Sequence, residues 1–199
     1  GRLDILVNNA AFIHEQLIEK KPFWEKEIAA VNILDVGLRS AYVASWHAAN
    51  IMAKQKSGLI GFGSSFGASC YMHGPAYGAQ KAGVDKMAHD MAVDLEPFNV
   101  QAVSIWMGPL LTERALIAAE VHPEQYTEFM AVAETPQFTG HILHAIASDP
   151  KAQEISGHTV VGAEIAKDRY NMKDGNGKQP PSHREMLGSP NAPNPARVY

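Results

Sequence analysis

Cysteine is nearly absent. The 199 residues include one, Cys70, so no internal disulfide can form, and the chain fits a reducing, cytoplasmic compartment. No apolar run approaches the roughly 20 residues that cross a bilayer, so no membrane span is expected. Charge of either sign is modest, 17 Lys and Arg against 21 Asp and Glu for a net charge of −4. The two signs are interspersed, with neither a basic stripe for nucleic acid nor a polybasic patch for an anionic membrane. The nine histidines are scattered, without the HExxH or Cys-rich spacing of a metal site, and no metal is expected. No internal repeat is apparent. What remains, 46% hydrophobic and 19% charged residues, is the balance of one soluble globular domain.

The densest chemistry lies in SSFGASCYMHGPAYGAQK, Ser64 to Lys81. Tyr77 and Lys81 are four apart at the start of an Ala-rich run that reads as helix, so both side chains leave one face. Ser64 is separated from Tyr77 by 12 residues that include Gly67, Gly74 and Pro75. That is enough irregular chain to bring its hydroxyl to the phenol, with Ser65 as the alternate. A phenol with an ordinary pKa of about 10 is a poor acid or base at neutral pH, and a nearby ammonium favours its ionised form. Ser64, Tyr77 and Lys81 are therefore the candidate catalytic set, suited to acid-base work on a carbonyl or alcohol oxygen. A reactive thiol at Cys70 is conceivable, but a small pocket-lining residue is the expected role.

Along the chain, Leu3 to Val7 is a short apolar run broken only by Asp4, as in a parallel strand buried on both faces. Asn8 to Ala11 follow at its C-terminal end, where ligands of open α/β sheets bind. Apolar residues recur at spacings of three and four through Leu34, Leu38, Tyr42, Trp46, Ala49 and Ala53, which predicts one long amphipathic helix ending near Ser57-Gly58. Leu59 to Phe62 reads as the strand that delivers Ser64 and Ser65. Pro75 opens the helix of Tyr77 and Lys81, which a turn containing Pro97 closes. Val100 to Trp106 is a third strand, Glu113 to Ala133 a helical insertion, and a further helix runs from Thr135-Pro136 to Asp149-Pro150. The last strand lies within Gly157 to Gly162. Residues 1–168 read as the domain. Residues 169–199, rich in Pro, Gly and Asn, read as a loose tail that buries too little apolar surface to offset its ordering entropy.

LDILVNNA, the Ser64-Ser65 pair, YGAQK and VSIWMGPLLT, at these distances, resemble the short-chain dehydrogenase/reductase family. Its pattern is a strand ending in Asn-Asn-Ala-Gly, a Ser, Tyr-x-x-x-Lys, and Pro-Gly followed by Thr. The likeness spans most of residues 3–165, and AKDRYNMKDGNGKQPP narrows it to one subgroup. It implies an α/β fold, a three-layer, Rossmann-like, doubly wound parallel sheet. It also implies hydride transfer between a nicotinamide, NAD or NADP with NADP favoured, and a small hydrophobic carbonyl or secondary alcohol. Tyr77 would exchange the proton, Ser64 would bond the oxygen, and Lys81 would lower the phenol pKa and bond the nicotinamide ribose. Asn9, Ala10, Ala11, Tyr77, Lys81, Gly108 and Thr112 would contact the cofactor. Phe66, Tyr71, Met72, Trp106 and Phe129 would give an apolar pocket, with Glu113 to Ala133 as its lid. The full protein would pair as a homodimer or homotetramer.

The family places three βα units before the strand at Leu3, the first with the glycine-rich turn that holds the pyrophosphate. Neither is in this sequence, so the chain is expected to be the C-terminal portion of such a fold. Three positions depart from the pattern. Ala11 replaces a Gly, Met107 a Pro, and Gly37 stands where the family's helix supplies an Asn to a water-linked proton relay. The departures leave a rival reading, a catalytically degenerate binding or scaffold protein on the same fold.

Overall fold

The computed structural model describes residues 1–198, apart from the side chain of Gln125. Four strands, β1 (Ile5–Asn8), β2 (Gly58–Ser64), β3 (Val100–Trp106) and β4 (Thr159–Val161), form one parallel sheet in that spatial order. Parallel neighbours need long crossovers. These carry α1 (Ser40–Gln55), then α2 (Pro75–Leu95), then α3 (Glu113–Val121), α4 (Pro123–Val132) and α5 (Pro136–Ser148). After β4 come α6 (Gly162–Asp168) and the short α7 (Arg184–Leu187).

The alternation of β2 divides the core. Ile60 and Phe62 pack with Met52, Val84 and Ala88 of α1 and α2, whereas Leu59 faces Ile142, Leu143 and Ile146 of α5. Each of these side chains larger than alanine is worth about 1.5–3 kcal/mol over leaving it exposed. Both sheet faces are covered, which is the three-layer doubly wound arrangement expected. β2 and β3 stay in register from Gly58↔Val100 to Ser64↔Trp106, so their C-terminal ends deliver Ser64, Ser65 and Met107 to one edge. β1 pairs with β2 alone among the described residues.

Two expectations need correction here. The helix predicted from Leu34 to Ala53 is broken, because Val36 is non-helical, Gly37 has φ 146°, and α1 begins only at Ser40. A side chain at Gly37 would be strained by that φ and would also meet Gln80, whose Cγ lies 3.2 Å from the position of a Cβ. Gln80 Nε2 instead donates to the Gly37 carbonyl at 2.9 Å. The apolar period reports which face is buried and is blind to this break. The stretch Ile28–Gln55, kink included, does reach a mean hydropathy of 1.2 over a membrane-length window that is 28% buried. Tyr42, Val43, Trp46 and Ile51 are exposed on it.

The tail is not loose throughout. Asp174 is buried and accepts from the Asn176 and Lys178 amides at 3.0 and 2.8 Å. Arg184 Nε donates to Glu164 Oε1 at 2.7 Å, and Leu187 packs against the cluster of Phe66, Trp106 and Val161. Polar pairing adds to a few apolar contacts in tying the segment down, and composition does not register the pairing.

Candidate active site

Ser64 shares strand parity with Ile60 and Phe62, so its side chain turns under α2. It is fully buried and donates to the Lys81 carbonyl at 3.3 Å. Ser65, one residue past the strand, places its Oγ 2.9 Å from Tyr77 Oη. The expectation that Ser64 meets the phenol is therefore corrected to Ser65. A residue count across an irregular loop cannot resolve a one-residue reversal of side-chain direction. The turn at Phe66–Ala68 lies against the phenol ring so closely that a Cβ on Gly67 would collide with Tyr77 Cε1. Only glycine permits that approach.

α2 opens with Gly74 at φ 98° and Pro75 in its first turn, the place where a missing N–H is no loss. Tyr77, Lys81 and Asp85 then follow at successive turns. Lys81 Nζ donates to the Gly63 carbonyl at 3.1 Å and lies 5.5 Å from the Tyr77 ring centroid. Asp85 accepts from Ser104 Oγ at 2.6 Å and Trp106 Nε1 at 2.8 Å, anchoring α2 to β3 below the lysine. Sequence reasoning stopped at Lys81, although the same four-residue step reaches Asp85.

Burial raises the Tyr77 pKa, with the Ser65 hydrogen bond opposing it. The expected lowering by Lys81 is not found; burial is the larger influence on the phenol, and the ammonium stands 5.5 Å from the ring centroid. Lys81 itself is brought down to about 8 by burial, against the attraction of Asp85. Asp85 is raised by burial, an effect reduced by its hydrogen bonds and by Lys81. At neutral pH Tyr77 is a phenol with a proton to give, and Lys81 is mostly ammonium.

At the end of β1, Asn9, Ala10 and Ala11 are exposed. Asn9 Oδ1 packs over Gly63, the residue whose carbonyl receives Lys81. An open amide, an ammonium and small residues on one sheet edge fit the nicotinamide-ribose end of a dinucleotide. Gly108 is part of the same edge, its N–H donating to Glu134 at 3.3 Å. Thr112 Oγ1 caps α3 by accepting from the Ala115 amide at 3.2 Å, so its hydroxyl is already engaged. No glycine-rich phosphate turn occurs among the described residues.

A cavity of about 590 Å³ opens over Ser65 and Tyr77, walled by Phe66, Met72, Phe129 and Val132. A neighbouring compartment of about 390 Å³ has Ala115 and Ala118 of α3 and Tyr126 and Phe129 of α4 over the same two residues, the position expected of a lid. Two of the anticipated pocket residues lie elsewhere. Trp106 is fully buried core and Tyr71 is 84% exposed. Cys70 is partly buried against the Phe66 and Trp106 cluster.

Glu134, which no motif flags, is 1% exposed, and burial lifts its pKa to about 7. The folded-state pKa lies above the ordinary 4.5, so the folded protein binds more protons across that window and stability falls as pH rises from 4.5 to 7. Glu134→Gln is therefore expected to raise unfolding stability at pH 8 by about 2 kcal/mol and to flatten its pH dependence. Urea melts of both proteins at pH 5 and pH 8 check this, and equal slopes with pH would contradict it.

A family model described as short chain dehydrogenase matches residues 1–120. Human dehydrogenase/reductase SDR family member 1 is 34% identical over 188 residues, covering 89% of this chain and 60% of that protein. The chain thus spans about 60% of the length of that curated relative. Among solved structures, an oxidoreductase of the short chain dehydrogenase/reductase family from Burkholderia thailandensis matches with a TM-score of 0.69 at 22% identity, covering 86% of this chain and 68% of that one. ElxO, solved with NADP bound, matches with a TM-score of 0.71 at 20% identity, covering 83% and 68%.

Proposed function

We propose, on the premise that this chain belongs to the short chain dehydrogenase family, that the protein is an NAD(P)-dependent oxidoreductase acting on a carbonyl or secondary alcohol. The observation that carries the reading is the Ser65–Tyr77 hydrogen bond at 2.9 Å on the floor of an apolar cavity. Bound nicotinamide would exchange a hydride with the carbonyl carbon. Tyr77 Oη gives its proton to the carbonyl oxygen in reduction and takes it back in oxidation. Ser65 Oγ donates to that oxygen as charge develops on it. Lys81 and Asn9 hold the ribose end, with Ala10, Ala11 and Gly108 allowing close approach and Thr112 beside the carboxamide. NADP is the favoured cofactor, supported by its presence in ElxO. The walls support a small hydrophobic substrate. The exposed face of α1, with Tyr42, Val43, Trp46 and Ile51, supports a homodimer or homotetramer, and the unpaired Cys70 supports a cytoplasmic location.

Gly37 and Met107, both departures from the family pattern, favour the rival reading of a non-catalytic member. One experiment separates the two. The full natural polypeptide is incubated with NADH or NADPH deuterated at the transferable position and a panel of small ketones, and the alcohols are examined by mass spectrometry. Deuterium on the carbinol carbon is expected, and a panel without any transfer would overturn the oxidoreductase reading.

Lys81→Met is expected to lower kcat/KM about 100-fold, with weaker cofactor binding. The same substitution should raise the melting temperature at pH 7. The buried lysine's pKa of about 8 lies below its ordinary 10.5, so its charge weakens the fold at every pH below about 8 and is relieved between about 8 and 10.5. Activity lost together with a lower melting temperature would mark Lys81 as structural instead.

A further inference from the structure

The cavity over Tyr77 contains two open polar side chains that the proposed reaction does not use, Glu128 and His73, and only His73 touches the Tyr77 ring. His73 is exposed and lines the cavity together with Ser65 and Tyr77. Its ring meets the Tyr77 ring edge-on, with centroids 5.0 Å apart at 85°. Neither ring nitrogen has a hydrogen-bond partner among the described residues. Its backbone is left-handed, with φ 59°, a conformation held against the preference of a residue with a side chain and found disproportionately where function requires it. The other imidazole in the cavity wall, His183, has its Nε2 enclosed and is not open to a ligand in the same way.

We propose that His73 is a specificity-determining residue, whose imidazole hydrogen-bonds a second oxygen carried by the substrate on the carbon next to the reacting carbonyl. The site then prefers α-dicarbonyl and α-hydroxycarbonyl compounds to simple ketones. The inference rests on the oxidoreductase reading and names its substrate class. The spacing supports neighbouring oxygens, because His73 and Tyr77 stand in ring contact, with centroids 5.0 Å apart, and line the same cavity. Away from Tyr77 the walls are mainly apolar, with Phe129 and Val132, and the exposed Glu128 offers an oxygen on a substrate only acceptors. Desolvation and the charge of Lys26 both hold the imidazole below its usual pKa, so at neutral pH it offers one donor and one acceptor. It can therefore serve either a hydroxyl or a second carbonyl.

The test compares 2,3-hexanedione with 2-hexanone, using the full natural polypeptide. Binding is followed by tryptophan fluorescence and turnover by NAD(P)H absorbance. Wild type is expected to bind the dione at least about 10-fold more tightly than the ketone, since a site built to bond a polar group rejects the analogue that lacks it. His73→Phe keeps the ring contact with Tyr77 and should abolish that ratio, mainly through KM. His73→Gln restores a donor and an acceptor without the ring and should keep the ratio within about threefold. A packing role would give the reverse order of the two variants and would overturn the proposal. Equal binding of the two probes by wild type, or binding of neither, would overturn it as well. Selective binding without turnover would sink the oxidoreductase reading and leave the assignment of His73 standing.

Discussion

Tyr77→Phe is expected to lower kcat/KM for carbonyl reduction at least about 100-fold while leaving the fold in place. The substitution removes one oxygen. The ring that packs on Gly67 and meets His73 remains, and the lost bond to Ser65 should cost only about 1 kcal/mol of stability. The pH profile of the wild type carries a second signature. Burial raises the phenol above its ordinary 10.0, so its acid form persists across the range, and a fall in reduction rate between pH 8 and 9 is expected to follow Lys81, brought down to about 8, rather than the phenol. Steady-state rates from pH 6 to 9, with a thermal melt of each protein, check both points. Turnover by the phenylalanine variant at the wild-type rate would remove Tyr77 from the chemistry.

The second large effect separates adjacent serines. Ser65→Ala is expected to lower kcat about 100-fold, as loss of a single donor to a developing oxyanion does, and to cost about 1 kcal/mol through its bonds to Tyr77 and the Gly67 amide. Ser64→Ala should cost a similar amount through its buried bond to the Lys81 carbonyl while leaving the rate near wild type. Parallel kinetics and denaturant melts on the two variants distinguish them. A Ser64 variant that is stable but inactive would return the role to the residue that spacing favours.

The contrast shows where sequence was legible. Tyr77 and Lys81 sit on a regular helix, whose period turns a count of four into a shared face, and β2 and β3 announce themselves as apolar runs buried on both sides. The serine does not follow, because at a strand end one residue reverses direction and the count carries no parity. Gly37 is visible as a residue, but its positive-φ backbone and its bond from Gln80 belong to a kink before α1 meeting α2 from 43 positions away. Glu134 and His73 acquire their properties from burial and from ring contact, which no local pattern encodes. The tail misleads for a related reason. Its composition reports apolar content faithfully, yet Glu164 and Arg184 attach it through charge.

The Gly37–Gln80 contact also constrains how this protein can change. Any side chain at 37 meets a backbone that favours glycine and, at the same moment, the amide that occupies the space in front of it. Shortening Gln80 alone removes the second obstacle but strips the Gly37 carbonyl of its donor. Neither single step is neutral, so the two sites form an epistatic pair. Placing an asparagine at position 37 is a two-substitution path through a less stable intermediate. Drift would hold the chain on its present side of that barrier.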